Sequence, residues 1–228
     1  MKKIIFSLLV AVMVALSSCS TTSSVPLVKQ YPKMYEERPL TIAVMPPINQ
    51  TTHAEAKDYF YTTMYMPLCE KGYYVYSPYL TMEMFQTESA YDSELFIEGD
   101  LNIFNKVLGA DAVMFTIVKD WSRNNLGGKL TAHVEYILRS TKTGDTLYQR
   151  EGVVTVDTSV SGGQGALGAL VNMAVTAIAT ASTDKVEAGR KCTAFVLSNM
   201  PSGKYHPMFD KDQQNPAGDM FLKGSVKK

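Results

Sequence analysis

The residues of this chain that could do chemistry are one glycine-framed loop, three histidines, a few acidic clusters and a lone tryptophan. Gly163-Gln164-Gly165-Ala166-Leu167-Gly168 spells G-x-G-x-x-G, and Asp184 follows, about 20 residues on, where a dinucleotide pocket would want a ribose partner. Such a pocket needs a parallel strand after its helix to carry the acid. Here the strand before the glycines belongs to a hairpin and Asp184 opens another helix, so the glycines read as a flexible connector. No Gly-Lys-Ser/Thr follows them, which removes the phosphate-binding P-loop. His53, His133 and His206 share no i to i+4 spacing that would aim two rings at one zinc. Solvent-facing or turn positions are the simpler reading. Glu36-Glu37 lies in a predicted tether, and Asp92, Glu94, Glu98 and Asp100 lie in a polar excursion. Paired carboxylates flanking a cleft could hydrolyse a glycan, but a solvated surface accounts for them as well. Trp121 follows the central predicted strand at its carboxyl end, where open α/β sheets place ligand crevices. It either borders a crevice with Pro46 and Pro47 or packs against the edge of the core. No catalytic residue, metal-ligand set or cofactor is expected.

The cysteines carry a sharper signal. Lys2 and Lys3 precede an apolar run from Ile4 to Leu16, and Leu16-Ser17-Ser18-Cys19 closes it. This is the charged, apolar and small-residue order of a secretory signal, and its ending looks like the lipobox of bacterial lipoproteins. Residues 1–18 are then a lipoprotein signal peptide and Cys19 the lipidated first residue of the mature chain. The apolar run is shorter than the roughly 20 residues that span a bilayer, whereas two or three acyl chains make a stable anchor. With Cys19 committed to lipid, Cys69 and Cys192 remain. In an oxidising envelope compartment they could form a disulfide, and either could equally be a buried free thiol.

The elements that must position these residues are legible in outline. Residues 19–38, rich in Ser and Thr and then in proline, read as a flexible tether that could reach roughly 65 Å. Residues 39–202 read as a single α/β domain. Leu40 to Met45 is a buried strand ended by Pro46-Pro47; Thr52 and Glu55 suggest a capping box for a helix with Ala56, Tyr59, Phe60, Thr63 and Met64 at helical spacing; Pro67 interrupts it and Gly72 ends it. Tyr73 to Tyr76 and Ala112 to Val118 are further strands, with short helices at Leu80 to Phe85 and after Asp100, up to Gly109. Leu130, Ala132, Val134, Tyr136 and Leu138 alternate with polar residues, and Lys142-Thr143-Gly144-Asp145 turns the chain into a partner strand from Leu147 to Val156. The expected fold is a mixed α/β sheet of about five strands, the first three parallel and the last two an antiparallel hairpin, flanked by helices. Helices from Ala166 to Thr180, rich in small residues, and from Asp184 to Met200 follow. Residues 203–228 read as a partly disordered tail.

Composition narrows the partners. Lysine plus arginine equals aspartate plus glutamate, 22 each, so no net field draws in nucleic acid. Thirteen tyrosines and thirteen methionines suit an adaptable surface that meets other macromolecules as well as a core.

Five strings in order carry a resemblance: Thr41-Ile42-Ala43-Val44-Met45-Pro46-Pro47; Gly72-Tyr73-Tyr74-Val75-Tyr76; Leu108-Gly109-Ala110-Asp111-Ala112-Val113; Thr143-Gly144-Asp145-Thr146-Leu147-Tyr148; and Met200 to Pro207. Together they resemble the genome-derived-antigen type of lipoprotein family, which has no assigned chemistry. The resemblance implies an α/β domain similar to the amino-terminal domain of the Tol-Pal translocation protein and to the periplasmic domain of the curli secretion lipoprotein. It also implies an outer-membrane location and a role beside a curli-secretion-like lipoprotein in an envelope export assembly. Ser20 after Cys19, with no acidic run behind it, points to the periplasmic face, and a homo-oligomer is the other partner expected. The resemblance supplies no catalytic residues. An envelope enzyme or small-ligand binder using the crevice at the strand ends is the alternative.

Overall fold

The computed structural model describes residues 25–87, 93–124, 128–157 and 185–227, together with Ser159, Asn172 and Thr176. Cys19 and its signal, Asp92, the glycine motif and Asp184 lie outside the described residues. So does the small-residue helix, apart from Asn172 and Thr176, which are helical.

The chain opens with two short helices, α1 (Leu27–Gln30) and α2 (Pro32–Glu37). Strand β1 (Thr41–Val44) follows, and after the buried Pro46-Pro47 comes β2 (Ile48–Asn49). Helices α3 (Ala56–Thr63) and α4 (Tyr65–Glu70) lead to β3 (Tyr74–Val75). Then come α5 (Pro78–Thr87), α6 (Ser93–Phe96) and α7 (Asn102–Leu108), followed by β4 (Ala112–Asn124), β5 (Lys129–Ser140), β6 (Thr146–Asp157), α8 (Lys185–Val196) and β7 (Phe221–Lys227). These strands form one mixed sheet in the order β3-β1-β4-β5-β6-β7, with β2 also paired to β4. β3, β1 and β4 run parallel, β4, β5 and β6 are antiparallel neighbours, and β7 lies parallel to β6. The expected mixed fold is present, with two strands more than the five read from sequence. Among the described residues no helix is long and apolar enough to cross a membrane.

Strand β4 explains why its sequence is continuously apolar. Ala112, Met114 and Val118 enter the larger core, while Val113 and Phe115 enter a smaller one with Phe85, Leu101 and Phe104, so both faces are covered. In β5 the alternation has the expected meaning. Leu130, Ala132, Val134, Tyr136 and Leu138 are all buried, and α8 closes over them, with the Tyr136 hydroxyl 2.9 Å from Thr193 Oγ1. Close approach on that side uses small residues: a methyl group on Gly152 would lie 2.7 Å from Val196, and one on Gly189 3.1 Å from Thr63.

Four expectations are corrected. The stretch read as a tether folds from Val25 onward: Leu27, Tyr31 and Met34 are buried in the larger core, spaced i, i+4, i+7 along one side. The prolines taken as tether marks instead start helices, Pro26 at the N-cap of α1 and Pro32 at the first position of α2. The tail also packs. Residues 213–217 bind the first segment (Leu27 N to Asn215 O 2.9 Å, Val28 N to Gln213 O 3.1 Å, Ala217 N to Val25 O 2.9 Å), and β7 extends the sheet. The capping box does not form, because Glu55 itself occupies the N-cap of α3 and makes no cap bond. Its carboxylate is engaged elsewhere. The interruption expected at Pro67 falls three residues earlier, at Met64, leaving Pro67 in the first turn of α4, where its missing N–H costs nothing.

Candidate functional site

A bulge between Val118 and Asp120 shifts the register of β4 and brings Trp121 onto the larger core's side. Its ring packs edge-to-face on Phe60 of α3 at 5.3 Å and obliquely on Tyr59 at 6.1 Å. Only 6 % of Trp121 is exposed. Around that exposed edge a cleft of about 200 Å³ is lined by His53, Glu55, Tyr59, Trp121, Arg123 and Lys185. Trp121 is therefore both packing residue and cleft wall. Pro46 and Pro47, expected beside it, are buried instead, and the Pro46 carbonyl accepts the Ser93 hydroxyl at 2.5 Å.

The charges of the cleft are partly committed to one another. Lys185, the first residue of α8, donates to Glu55 Oε2 at 2.7 Å and to the Tyr59 hydroxyl at 3.0 Å, and Tyr59 donates to Glu55 at 2.5 Å. The Lys185 ammonium also stands 5.1 Å from the centre of the Tyr59 ring. These bonds hold the Glu55 carboxyl below its ordinary pKa, through Lys185 first and Tyr59 second, and raise that of Lys185 through Glu55 first. At neutral pH both are charged. A carboxylate already receiving an ammonium and a phenol is poorly placed to take a proton from a substrate. The cleft combines an aromatic wall with charges of both signs.

The histidines do not converge. His53 lines the cleft. His133 lies on the opposite face of β5, its Nε2 2.5 Å from Glu151 Oε1, in a network where Lys119 bridges Glu135 and Glu151 at 2.8 Å each and Gln149 donates to Glu135 at 2.6 Å. His206 accepts from the Met208 N–H through Nδ1 at 3.1 Å. Among the described residues no group of three His, Cys, Asp or Glu side chains is arranged to hold a metal. The acidic clusters are likewise dispersed, with Glu37 accepting from Ser140 at 2.6 Å and Thr143 at 2.9 Å, tying α2 to the β5–β6 turn. Cys69 and Cys192 are two free thiols rather than a bridge. Burial raises the pKa of both, that of Cys192 to about 12, so neither is a thiolate nucleophile at neutral pH.

Two polar residues that sequence reasoning passed over organise the fold away from the cleft. Arg150 is fully buried on β6. Its Nε and Nη2 donate to the Asp219 carbonyl at 3.1 and 2.9 Å, and Nη2 also donates to the Ala217 carbonyl at 2.5 Å. The signal was present, since Tyr148, Arg150, Gly152, Val154 and Val156 share one face of a strand. Asp111 receives the N–H groups of Leu40 and Thr41 (3.0 and 3.2 Å), the Thr41 hydroxyl (3.1 Å) and the Lys142 ammonium (2.8 Å). It pins the start of β1 to the start of β4 and had figured only inside a string of resemblance.

Parallel strands continued into an antiparallel ribbon, with helices on the larger core and a shallow cleft at the ribbon's far end, define a mixed α/β domain. Residues 29–203 match the family described as "Putative lipoprotein GNA1162-like", and the chain belongs to that family of lipoproteins. A relative from Neisseria meningitidis serogroup B, "Putative lipoprotein NMB1124/NMB1162", is 26% identical over 199 residues, which cover 86% of this chain and 90% of its own. The crystal structure of lipoprotein GNA1162 from Neisseria meningitidis is 24% identical with a TM-score of 0.48, covering 62% of this chain and 99% of its own. A PelC dodecamer from Paraburkholderia phytofirmans is 15% identical with a TM-score of 0.42, covering 71% and 86%.

Proposed function

We propose that this protein is an outer-membrane lipoprotein, acylated on Cys19 after removal of residues 1–18 and facing the periplasm. Its α/β domain acts as a non-catalytic interaction module in an envelope secretion or transport assembly. In this reading it works as a homo-oligomer or beside a second lipoprotein of the curli-secretion kind. The observation that carries the module is the apolar character of the β3 side. Tyr74 on this edge strand is 53% exposed and Tyr79 at the start of α5 is 77% exposed, with Leu80, Ile103 and Val107 also outward. Tyr74 stacks edge-to-face on Tyr76 at 5.5 Å, and Tyr76 donates to Leu108 at the end of α7 at 2.6 Å, which joins strand edge to helix. Apolar side chains gathered at a sheet edge suit a protein partner.

Cell fractionation tests the anchor. The Cys19→Ser variant is expected to leave the membrane fraction and to lack the mass of its acyl chains; a variant that stays as firmly bound as its parent overturns the reading. Crosslinking in native membranes tests the module, with a homo-oligomer or a lipoprotein heterodimer expected and monomer alone counting against it. The cleft supports a second reading, a small-ligand binder. Trp121 is the sole tryptophan of the chain, so a ligand entering the cleft will shift or quench the only indole emission, and an emission unmoved by envelope glycan fragments and nucleosides removes this reading.

A further inference from the structure

We infer that the domain rests directly on the lipid surface, with the pole formed by α1 and residues 213–217 turned toward a phospholipid bilayer and the Trp121 cleft turned away from it. This rests on the acylation of Cys19 proposed above and on where the fold begins. A tether running to Arg38 would have let the domain float far from its anchor. Instead the chain is already part of the fold at Val25, whose carbonyl accepts from Ala217 N at 2.9 Å, and Leu27, two residues on, is buried in the core.

Six Cα-to-Cα steps then separate the acylated residue from the body of the protein. Fully extended they span at most about 21 Å. A compact chain of some 200 residues has a radius of gyration of about 17 Å. That corresponds to a body roughly 45 Å across, about twice the longest reach of the leash, so the face from which the leash leaves stays at the head groups while the body can only pivot about that point. That face accepts such a neighbour. Val25, Gln214, Asn215 and Pro216 are exposed and uncharged, and Lys29 and Asp219 add one charge of each sign. Met220, also exposed, is held against α1 by Gln30 Nε2 at 2.9 Å and by the Tyr31 hydroxyl at 3.5 Å. An anionic leaflet meets no net negative charge there to repel it.

Orientation follows from β6. The Tyr31 ring meets that of Tyr148 near the strand's beginning, with centroids 4.7 Å apart. Val154, six residues later, pairs with Ala132, which pairs with Trp121. At roughly 3.3 Å per residue the cleft lies about 20 Å along the strand from the membrane-facing pole.

The test uses the full-length acylated protein in phosphatidylcholine–phosphatidylglycerol vesicles whose head groups carry a nitroxide quencher. In a Cys69→Ser background a fluorophore is placed at Asn215→Cys, at Gln214→Cys as a second site on the same pole, or at Lys129→Cys near the cleft end. Quenching at the two pole sites is expected to exceed that at Lys129 at least fivefold. Inserting a flexible Gly/Ser segment after Ser20 should bring the three labels to equal quenching. Equal quenching in the vesicle-bound protein of native length, or stronger quenching at Lys129, overturns the inference while leaving the anchor intact. Failure of the protein to float with vesicles, with no acyl mass on Cys19, overturns the anchor and the inference with it.

Discussion

Asp111 shows how a single side chain can define a junction. Burial alone would raise its pKa, but the Lys142 ammonium and the N–H groups of Leu40 and Thr41 outweigh burial, and the net shift is downward. A carboxyl lowered in the folded state stabilises the fold fully above its unfolded value of about 3.9, and that contribution is lost as pH falls through the lowered native value. Asp111→Asn is therefore expected to cost about 1–2 kcal/mol at pH 7, from weakened hydrogen bonds to the junction, and to flatten the acid limb of stability. Urea unfolding across pH 2–7 checks both. An unchanged acid limb would mean that other carboxylates set it. Asp111 stood out in the sequence only as part of Gly109-Ala110-Asp111, because its partners are a backbone some seventy positions earlier and a lysine in a distant turn. The Trp121 cleft was half legible for the same reason. The strand-end position of Trp121 follows from the apolar run before it, whereas Glu55, Tyr59 and Lys185 meet only through the packing of α3 against α8.

Elements were readable wherever one period ran uninterrupted. β5 alternates cleanly and was placed to within a residue or two. β7 also alternates, with Leu222, Gly224 and Val226 half-buried and Phe221, Lys223, Ser225 and Lys227 exposed, but its inward positions include a glycine over which the Phe195 ring lies. That glycine lowers the apolar signal and made a strand read as tail. Gly72 was legible as a helix stop, and it takes φ +83° as a stop should. What could not be read is its partner. A methyl on Gly203 would lie 2.5 Å from the Gly72 carbonyl oxygen, and one on Gly72 2.3 Å from the His206 nitrogen. Gly203 N–H donates to Lys71 O at 2.7 Å and the Tyr73 hydroxyl to Pro201 O at 2.6 Å, so the turn before β3 and the segment after α8 touch backbone to backbone. Because backbone cannot step aside as a side chain can, Gly203→Ala is expected to destabilise by about 3 kcal/mol, read as a lowered urea midpoint. A loss below half a kcal/mol would show that the two segments separate freely.

At the scale of the whole molecule, the first and last described segments form one clamp around the start of β6. Arg150 has a positive charge in a fully buried place and meets it with the Ala217 and Asp219 carbonyls. Cutting the chain after Ser202, the boundary its composition suggests, removes those carbonyls and bares α1 as well. The truncated protein is expected to lose cooperative unfolding and to bind a hydrophobic dye, the signs of a core without fixed packing, and a cooperative melt at the parent's temperature would refute the clamp. The same clamp fixes how the molecule bears load. Tension arriving through residue 24 falls first on the bonds from Val25, Leu27 and Val28 to residues 213–217, then on the seat of Tyr31 against Tyr148, and only afterwards on the long ribbon. A pull on the amino-terminal end would thus loosen α1 and residues 213–217 while β4 and β5 hold, which makes that side the first joint of the molecule to give.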